Sequence, residues 1–327
     1  MLNIVLLSEQ TADCIFVTVG PEAHPTHILI DGGLTADQGD LVKFCQAHFD
    51  QGKVIDLVIL SHVDGDHIGG LLHLFKQDFV NSDFIKKVWF NSKYPVKEAG
   101  GDSSKLDITY AQGNTLAQLI KGKKIETCPI VASATSNVVF NGLCEIRVLA
   151  PSPESIEQLL SDWPDEAKLD IAAERGDHLV DWDTLRTKEY TVDGSKKNRS
   201  SVVVLIHCIT TGKKALLTGD SIPPEILNFV DAAPEEVDLV KLPHHGSKKN
   251  ISSKLIQKFP SKRILTTAGA KDLKPHKKSI QLLIDNLGSP FEIYVPHGNW
   301  VAKNMTSELA KYGCAVRPYR SRDIIKL

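Results

Sequence analysis

The chain has 327 residues, of which 42% are hydrophobic and 24% are charged, so it can bury a large core and is predicted to be globular. Its formal net charge of −2 argues against a generic nucleic-acid coat protein, although a local basic groove is compatible with this value. Six cysteines without a CxxC pair favour buried free thiols in a reducing compartment. Since no segment has the pattern of a signal peptide or membrane span, we expect a cytoplasmic protein that does not bind a membrane.

Short apolar runs rich in β-branched residues are predicted to be strands. They lie at 15–20, 27–33, 54–62, 202–208, 215–220, 263–269 and 292–298. Stretches with apolar residues three and four positions apart are predicted to be helices, at 37–49, 115–122 and 278–288. The alternation of strands with helices, repeated after residue 200, predicts an α/β fold with two sheets covered by helices on both outer faces.

The middle of the chain differs in composition from the two halves. Residues 150–199 are polar and end in the loop-like stretch "DGSKKN". We interpret this segment as an insertion or lid rather than a domain boundary. The whole chain, residues 1–327, is therefore predicted to form a single domain.

The stretch "SHVDGDHIGG" concentrates metal-binding side chains at the end of a buried strand. His62 and Asp64 are two positions apart, so they project together from an extended chain. Asp66 and His67 follow at the start of a predicted helix, whose N-terminus tolerates acidic groups. These imidazole and oxygen donors suit one or two divalent cations. Helix capping by the aspartates would explain only some of these residues.

Other predicted strands end in the same way, with an acid or a histidine next to glycine. "ILIDGG" ends in Asp31, "ALLTGD" ends in Asp220, and "KLPHHGS" follows a strand with His244 and His245. Each ending alone is a weak signal, because such residues are common in turns. Together they predict a set of ligands at one edge of a packed pair of sheets.

These motifs resemble those of the metallo-β-lactamase-fold hydrolases, whose signature is His-x-His-x-Asp-His followed by Gly-Gly. Asp64 departs from that signature and matches the branch that resembles the soluble domain of the DNA-uptake competence channel ComEC, with its "TGD" strand end and "HHGS" loop. The resemblance is strongest at 28–75 and 198–247. It implies a four-layer αββα sandwich of two mixed β-sheets flanked by helices, and a metallohydrolase activity.

The resemblance also implies a ligand set. His62 and Asp64 would bind a first metal ion, Asp66 and His67 would bind a second, and Asp220 would bridge the two. Asp66 would in addition orient a metal-bridged hydroxide that attacks the substrate.

Further histidines are implied in the C-terminal half. His276 in "LKPHKKS" is the leading candidate for the last ligand, and His297 in "VPHGNW" is the second. One histidine of "HHGS" would face the metals or the substrate, where it would stabilise the developing oxyanion or protonate the leaving group. The sequence does not distinguish His244 from His245 in this catalytic role.

The histidine that the family usually places between the main motif and "TGD" is not evident. His178 is predicted to lie in the polar insertion and His207 in the middle of a strand, so the first site would have few nitrogen ligands. Together with the carboxylate of Asp64, this shifts the expected preference towards harder cations. We expect two divalent ions, Zn²⁺ or Mn²⁺, with Mg²⁺ also compatible.

Basic residues occur in three of the loops near these motifs. Arg199, Lys248, Lys249 and Lys277 would form a positive rim if the loops converge, although lysines are common in exposed loops. Such a rim predicts a phosphodiesterase or nuclease that acts on DNA, RNA or a nucleotide. The alternatives are a carbonyl hydrolase of the lactonase, thioesterase or β-lactamase type and a metal-binding module without turnover.

Overall fold

The computed structural model describes residues 1–92, 108–132, 137–140, 142–163, 176–288 and 290–327. The strands are, in chain order, β1 (Leu2–Leu6), β2 (Ile15–Val19), β3 (Thr26–Ile30), β4 (Leu57–Ile59), β5 (Lys87–Trp89), β6 (Glu126–Cys128), β7 (Asn137–Phe140), β8 (Cys144–Ala150), β9 (Val203–Cys208), β10 (Lys213–Leu217), β11 (Leu239–Lys241), β12 (Arg263–Leu265), β13 (Phe291–Pro296), β14 (Cys314–Tyr319) and β15 (Ile324–Lys326).

Helices connect and cover these strands. They are α1 (Gln38–Asp50), α2 (Gly65–Leu74), α3 (Ile108–Gly122), α4 (Pro153–Asp162), α5 (Trp182–Thr187), α6 (Lys196–Arg199), α7 (Pro223–Ile226), α8 (Ser253–Lys258), α9 (Lys277–Leu287), α10 (Trp300–Asn304) and α11 (Thr306–Ala310). Among the described residues, no helix is long and apolar enough to cross a membrane.

The described strands form two mixed sheets. The first has seven strands in the order β15-β1-β2-β3-β4-β5-β6, and the second has eight in the order β14-β13-β12-β11-β10-β9-β8-β7. The strands from β3 to β6 are parallel, as are those from β10 to β14. The remaining pairings are antiparallel, including that of β15 with β1.

Alternate residues of the strands face different layers of the molecule. In β4, Leu57 and Ile59 pack in the core between the two sheets, whereas Val58 packs with the helices on the outer face. In β9, Val204 faces the other sheet and Val203 faces the helices of its own side. Helices α1 to α4 supply buried side chains to the first outer core, and α8 to α11 supply them to the second. The predicted four-layer αββα sandwich is confirmed.

The described part of the predicted insertion packs on both helical layers, while residues 164–175 of it lie outside the described residues. Leu159 in α4 and the adjacent Trp163 are buried in the core of the first outer face. Leu185 in α5 is fully buried, and α5 packs against α9 on the other side. This segment is therefore amphipathic where it is described, and it contributes apolar side chains to the fold.

Candidate metal centre

Three strand ends bring the candidate ligands to one place. His62 lies three residues after the end of β4, Asp220 three residues after β10, and His244 three residues after β11. Strand β4 belongs to the first sheet, whereas β10 and β11 are parallel neighbours in the second. The cluster therefore forms where the C-terminal ends of strands from the two sheets meet.

The glycine pair of the main motif allows α2 to approach the loop after β3. A β-carbon at Gly70 would collide with the carbonyl oxygen of Gly32, and one at Gly69 would collide with the backbone nitrogen of Thr35. The backbone nitrogen of Gly32 in turn donates to the carbonyl of His67. This close packing fixes His67, in the first turns of α2, beside the loop that follows β3.

Asp31 in that loop orients the ring of His67. Its carboxylate Oδ2 accepts a hydrogen bond from Nδ1 of His67 at 2.7 Å, and both its oxygens accept from Ser61, one from the backbone and one from the hydroxyl. Because a carboxylate can only accept, the proton of the neutral imidazole lies on Nδ1 and the lone pair on Nε2. That Nε2 lies 3.4 Å from Oδ1 of Asp220. Asp31 therefore holds the ring of a candidate ligand, His67.

The surroundings of His67 favour a positive charge. Burial alone would lower the pKa of His67, but the carboxylates of Asp220, Asp31 and Asp66 outweigh it and raise that pKa well above its usual value. The same carboxylates would attract a divalent cation at this position.

His62, like His67, carries its proton on Nδ1 and directs Nε2 towards Asp220. Its Nδ1 lies 3.1 Å from the hydroxyl of Ser61, whose single proton is donated to Asp31. The hydroxyl must therefore accept, so His62 carries its proton on Nδ1. Its Nε2 lies 3.7 Å from Oδ2 of Asp64 and 3.9 Å from Oδ2 of Asp220.

The ring proton of His245 can be assigned from its hydrogen bonds in the same way. Its Nδ1 lies 2.8 Å from the hydroxyl of Thr267, which donates its own proton to Asp13 at 2.6 Å. Nδ1 of His245 is thus a donor, and its Nε2 lies within hydrogen-bond distance of the carboxylate of Asp66, at 3.1 Å, and 3.9 Å from that of Asp220.

Four of these residues form a compact set. One ligand atom from each of Asp66, His67, Asp220 and His245 lies within 4.8 Å of the others. The separations of 3.1 Å between Asp66 and His245, 3.4 Å between His67 and Asp220 and 3.8 Å between Asp66 and His67 are typical of a shared ion. Ligands arranged as a tetrahedron with bonds of about 2.1 Å lie about 3.4 Å apart.

Unpaired atoms point into the same space. Among the described residues, Nε2 of His62, Nε2 of His67 and Oδ1 of Asp220 are buried without a hydrogen-bond partner. Leaving such an atom unpaired costs about 1–3 kcal/mol, so a cluster of them indicates a missing partner. Since lone pairs face carboxylate oxygens here, the partner that fits is a cation.

Asp64 occupies the N-cap position of α2 without a side-chain capping hydrogen bond, and its carboxylate pairs with a lysine. Its Oδ1 forms a 2.7 Å ion pair with Nζ of Lys197 in α6, while its Oδ2 faces His62. Burial would raise the pKa of Asp64, but His62 and Lys197 together lower it, so the carboxylate is ionised. Lys197 was not singled out in the sequence, where it is one of several basic residues in "DGSKKNRSS".

The "HHGS" loop directs both of its histidines into the cluster. His244 and His245 have φ angles of 48° and 57°, a left-handed conformation that costs non-glycine residues about 1–3 kcal/mol each. Nε2 of His244 lies 3.7 Å from Oδ2 of Asp220, and Nε2 of His245 lies 3.9 Å from the same atom. Strain in two successive residues indicates a functional constraint on where their side chains point.

A buried ion pair next to the cluster is not evident from the sequence. Lys241, the last residue of β11, is fully buried, and its Nζ pairs with the carboxylate of Asp13. The same Nζ donates to the carbonyl of Gly219 at 2.9 Å and lies 3.8 Å from Oδ1 of Asp220. Asp13 precedes a strand and has no neighbouring glycine or histidine motif, so no local pattern marks it.

The structure does not bring His276 or His297 into the cluster. Nδ1 of His276 accepts a hydrogen bond from the backbone N–H of Lys248, so its lone pair is engaged there and its proton lies on Nε2. Burial lowers the pKa of His276 to about 4, which keeps the ring neutral. Nε2 of His297 lies 3.2 Å from the guanidinium of Arg320, an obligate donor.

His178 and His207 also lie elsewhere, as the sequence indicated. The ring of His178 packs 6.2 Å from that of Trp300, and Nδ1 of His207 lies 3.1 Å from Glu145 on the neighbouring strand.

Three of the basic side chains predicted to form a rim contact groups outside the cluster. Nζ of Lys277 donates to the carbonyl of Val180, Nζ of Lys248 lies 4.7 Å from the ring of Tyr190, and Arg199 lies 3.9 Å from Glu225. Lys249 contacts Ser247 and Asp193 through its backbone. Lys197 is a cation of this region that reaches the cluster, through Asp64.

Part of the sequence is similar to known proteins. Residues 14–117 match the model of the metallo-beta-lactamase superfamily. The chain is 30% identical over 138 residues to ComE operon protein 3 of Bacillus subtilis (strain 168), a match that covers 38% of this chain and 18% of that protein. The matched region is thus less than a fifth of the length of this relative.

Two solved structures align over nearly the whole chain. Zn²⁺-bound PqqB from Methylobacterium extorquens has 12% sequence identity and a TM-score of 0.47, with 99% of this chain and 100% of that chain covered. Unliganded yeast PDE1 has 9% identity and a TM-score of 0.40, with 100% and 99% covered.

One class of metallohydrolases is defined by a four-layer αββα sandwich. It carries a cluster of histidines and aspartates where the two sheets meet. The match over residues 14–117 and the fold make the chain similar to the metallo-beta-lactamase superfamily. The similarity to ComE operon protein 3 supports the branch indicated by the aspartate at position 64.

Proposed function

We propose that the protein is a metal-dependent phosphodiesterase or nuclease that acts on a nucleic acid or a nucleotide. The observation that carries the proposal is the convergence of three imidazole Nε2 atoms, from His62, His67 and His245, on the carboxylate of Asp220. Each ring donates through Nδ1 to a fixed acceptor, so each offers a lone pair to a cation.

The donor set supports Zn²⁺ or Mn²⁺, with Mg²⁺ also compatible. Imidazole nitrogens suit zinc, whereas the carboxylates of Asp64, Asp66 and Asp220 suit harder ions such as manganese. We propose two ions, because the two oxygens of Asp220 face different partners, Oδ1 towards His67 and Oδ2 towards His62.

The residues of the chain have distinct tasks in the proposed reaction. Bound divalent cations lower the pKa of water from about 15.7 towards roughly 7 and stabilise charge on a phosphoryl oxygen. Asp66, ionised in the first turn of α2, is placed to orient the attacking water and to accept its proton. Lys197 pairs with Oδ1 of Asp64 and, with 23% of its side chain exposed, is placed to contact a substrate anion.

A phosphodiester substrate is favoured over a carbonyl compound on two grounds. The partly exposed ammonium group of Lys197 lies next to the cluster, where it would attract a phosphate. The combination of "SHVDGDHIGG", "LLTGD" and "KLPHHGS" resembles the branch of a DNA-uptake channel. A lactonase, thioesterase or β-lactamase would use the same cluster and is the alternative that the experiment below addresses.

The proposal is tested by hydrolysis of bis-p-nitrophenyl phosphate. Metal-stripped protein is given Zn²⁺, Mn²⁺ or Mg²⁺ separately and assayed beside the variants Asp66→Ala and His67→Ala. We expect turnover that depends on added metal and is lost in both variants. p-Nitrophenyl acetate and a lactone are assayed in parallel with the same samples.

Two results would contradict the proposal. Metal-dependent turnover of the ester or the lactone without turnover of the phosphodiester would indicate a carbonyl hydrolase. Full phosphodiesterase activity in Asp66→Ala or His67→Ala would place the reaction at another site.

A further inference from the structure

The two groups of candidate ligands are unequal. The second group has Asp66, His67 and His245 around Asp220, whereas the first has His62, whose Nε2 lies 3.9 Å from Oδ2 of Asp220 and 3.7 Å from Oδ2 of Asp64. The first group therefore has two ligands besides the bridging carboxylate, and one position around a tetrahedral ion would be unfilled by protein.

We propose that His244 fills this position and that Asp193, in the segment before β9, is its positioning residue. Nε2 of His244 lies 3.7 Å from Oδ2 of Asp220, the oxygen that lies 3.9 Å from Nε2 of His62. Each histidine of the "HHGS" loop then serves a different ion. The inference rests on the metal-dependent function proposed above.

The hydrogen bonds of Asn250 assign the proton of His244. The side-chain nitrogen of Asn250 donates to the backbone carbonyl of Asp220 and to the carboxylate of Asp193, both at 3.1 Å. This orientation leaves its side-chain oxygen to face Nδ1 of His244 at 3.2 Å. Nδ1 is thus the donor, and the Nε2 lone pair is directed towards Asp220.

Asp193 supports the same tautomer. Its Oδ2 lies 3.4 Å from Nδ1 of His244 and accepts from the side chain of Asn198 at 2.7 Å, while Oδ1 accepts from the backbone of Ser195 at 2.9 Å. The backbone nitrogen of Asp193 donates to the carbonyl of Lys249, just after the "HHGS" loop. The carboxylate therefore stands behind His244 in the arrangement that orients metal-binding histidines and increases their basicity.

The geometry also ranks the two sites. The second group is compact, and the side chains of His67 and His245 are 0% and 1% exposed. In the first group the side chains of His244 and Asp64 are 25% and 27% exposed, similar to the 29% of Asp66 in the second, but Asp64 shares its charge with Lys197. We therefore expect the first ion to bind more weakly than the second.

The test is a count of bound metal. Metal-free protein is titrated with Zn²⁺ and, separately, with Mn²⁺ against a chromophoric chelator, and the ions retained are counted by elemental analysis. We expect two ions per wild-type chain and one in His244→Asn, whose remaining ion keeps its affinity. Asparagine is chosen because it tolerates the left-handed backbone of residue 244. His297→Asn is the matched control and should retain two ions.

Asp193→Asn tests the positioning role. We expect two bound ions, with the affinity of the weaker site reduced about 10- to 100-fold and that of the tighter site unchanged. A general loss of structure would weaken both sites, so the change at one site separates orientation from folding. Asp183→Asn, an exposed carboxylate in α5, is the control from the same segment.

Several outcomes would overturn the inference. Two ions of unchanged affinity in His244→Asn would show that this histidine is not a ligand, and equal weakening of both sites in Asp193→Asn would remove its positioning role. One ion in the wild-type chain would exclude a first site. If two ions bind as expected but no phosphodiester is hydrolysed, the ligand assignment holds and the proposed function does not.

Discussion

Nδ1 of His67 donates a 2.7 Å hydrogen bond to the carboxylate of Asp31, and this contact determines which nitrogen of the ring faces the cation site. The same carboxylate accepts from the backbone and the hydroxyl of Ser61. Ser61 in turn accepts from His62, so one buried aspartate sets the orientation of two imidazoles on the two sides of Asp220.

Replacing Asp31 by asparagine should therefore weaken metal binding. An amide has one oxygen in place of two, so at least one of the donors from His67 and Ser61 loses its acceptor. We expect the affinity for Zn²⁺ or Mn²⁺ to fall about 10- to 100-fold, as measured by competition with a chromophoric chelator. The surface variant Asp40→Asn should bind as the wild type does. Equal affinities for Asp31→Asn and wild type would show that this hydrogen bond does not orient a ligand.

The glycine pair offers a test of the packing that positions α2. In Gly70→Ala the added β-carbon meets the backbone of Gly32, which has no flexible atoms to move aside. We expect the free energy of unfolding in urea to fall by about 3 kcal/mol or more. Gly65→Ala, where no atom lies within 4 Å of the added carbon, should change it by less than about 1 kcal/mol. Similar effects of both substitutions would contradict the steric explanation.

The fold and the centre of the site could be predicted because their signals are local. His62 to His67 are close in sequence, and Asp220 and the "HHGS" loop follow apolar strands, so pattern alone suggested that they meet. Exact strand ends were less predictable. The strand predicted at 215–220 ends at Leu217, because Gly219 has a left-handed φ of 49° and turns the chain towards the cluster.

Contacts between distant segments account for what the sequence did not reveal. Asp13 meets Lys241 across most of the chain, and neither belongs to a motif that indicates an ion pair. Asp193 reaches His244 through a loop whose polar composition indicated only exposure. Loop composition also could not show that Lys277 turns its ammonium group towards a backbone carbonyl, and the basic rim stays a prediction.

The ion pair of Lys241 and Asp13 predicts a large effect on stability. Lys241→Met leaves the carboxylate of Asp13, which is 1% exposed, without its cation. We expect the free energy of unfolding of the metal-free protein to fall by about 3–5 kcal/mol, because an uncompensated charge is then buried. The double variant Asp13→Asn with Lys241→Met should recover part of this loss.

Lys258→Met is the control for that experiment. Its side chain is also buried, at 7% exposure, but its partner Asp231 is 79% exposed, and an exposed carboxylate keeps its hydration. We expect a smaller loss, of about 1 kcal/mol from the ion pair. If both lysine variants lose the same stability in chemical denaturation, burial of the Asp13 carboxylate is not the cause.

His27 and His48 predict a dependence of stability on pH. Nε2 of His48 lies 3.3 Å from Nδ1 of His27, and both rings pack against Phe16. Burial, with the neighbouring His27 and Lys53, lowers the pKa of His48 from 6.5 to about 4, and burial lowers that of His27 as well. Below pH 6.5 the unfolded chain therefore binds protons that the folded chain does not bind, so stability decreases as the pH falls from about 6.5 to about 4.

The contribution of His48 is isolated by comparing wild type with His48→Gln in urea at several pH values. Between pH 7 and pH 5 we expect the wild type to lose about 1–2 kcal/mol more than the variant, whose residue 48 does not titrate. Between pH 7 and pH 8 the stabilities of the two proteins should change in parallel. His48 is then neutral in the folded chain and largely neutral in the unfolded chain. Parallel curves below pH 6.5 as well would mean that the folded protein accommodates a proton on His48.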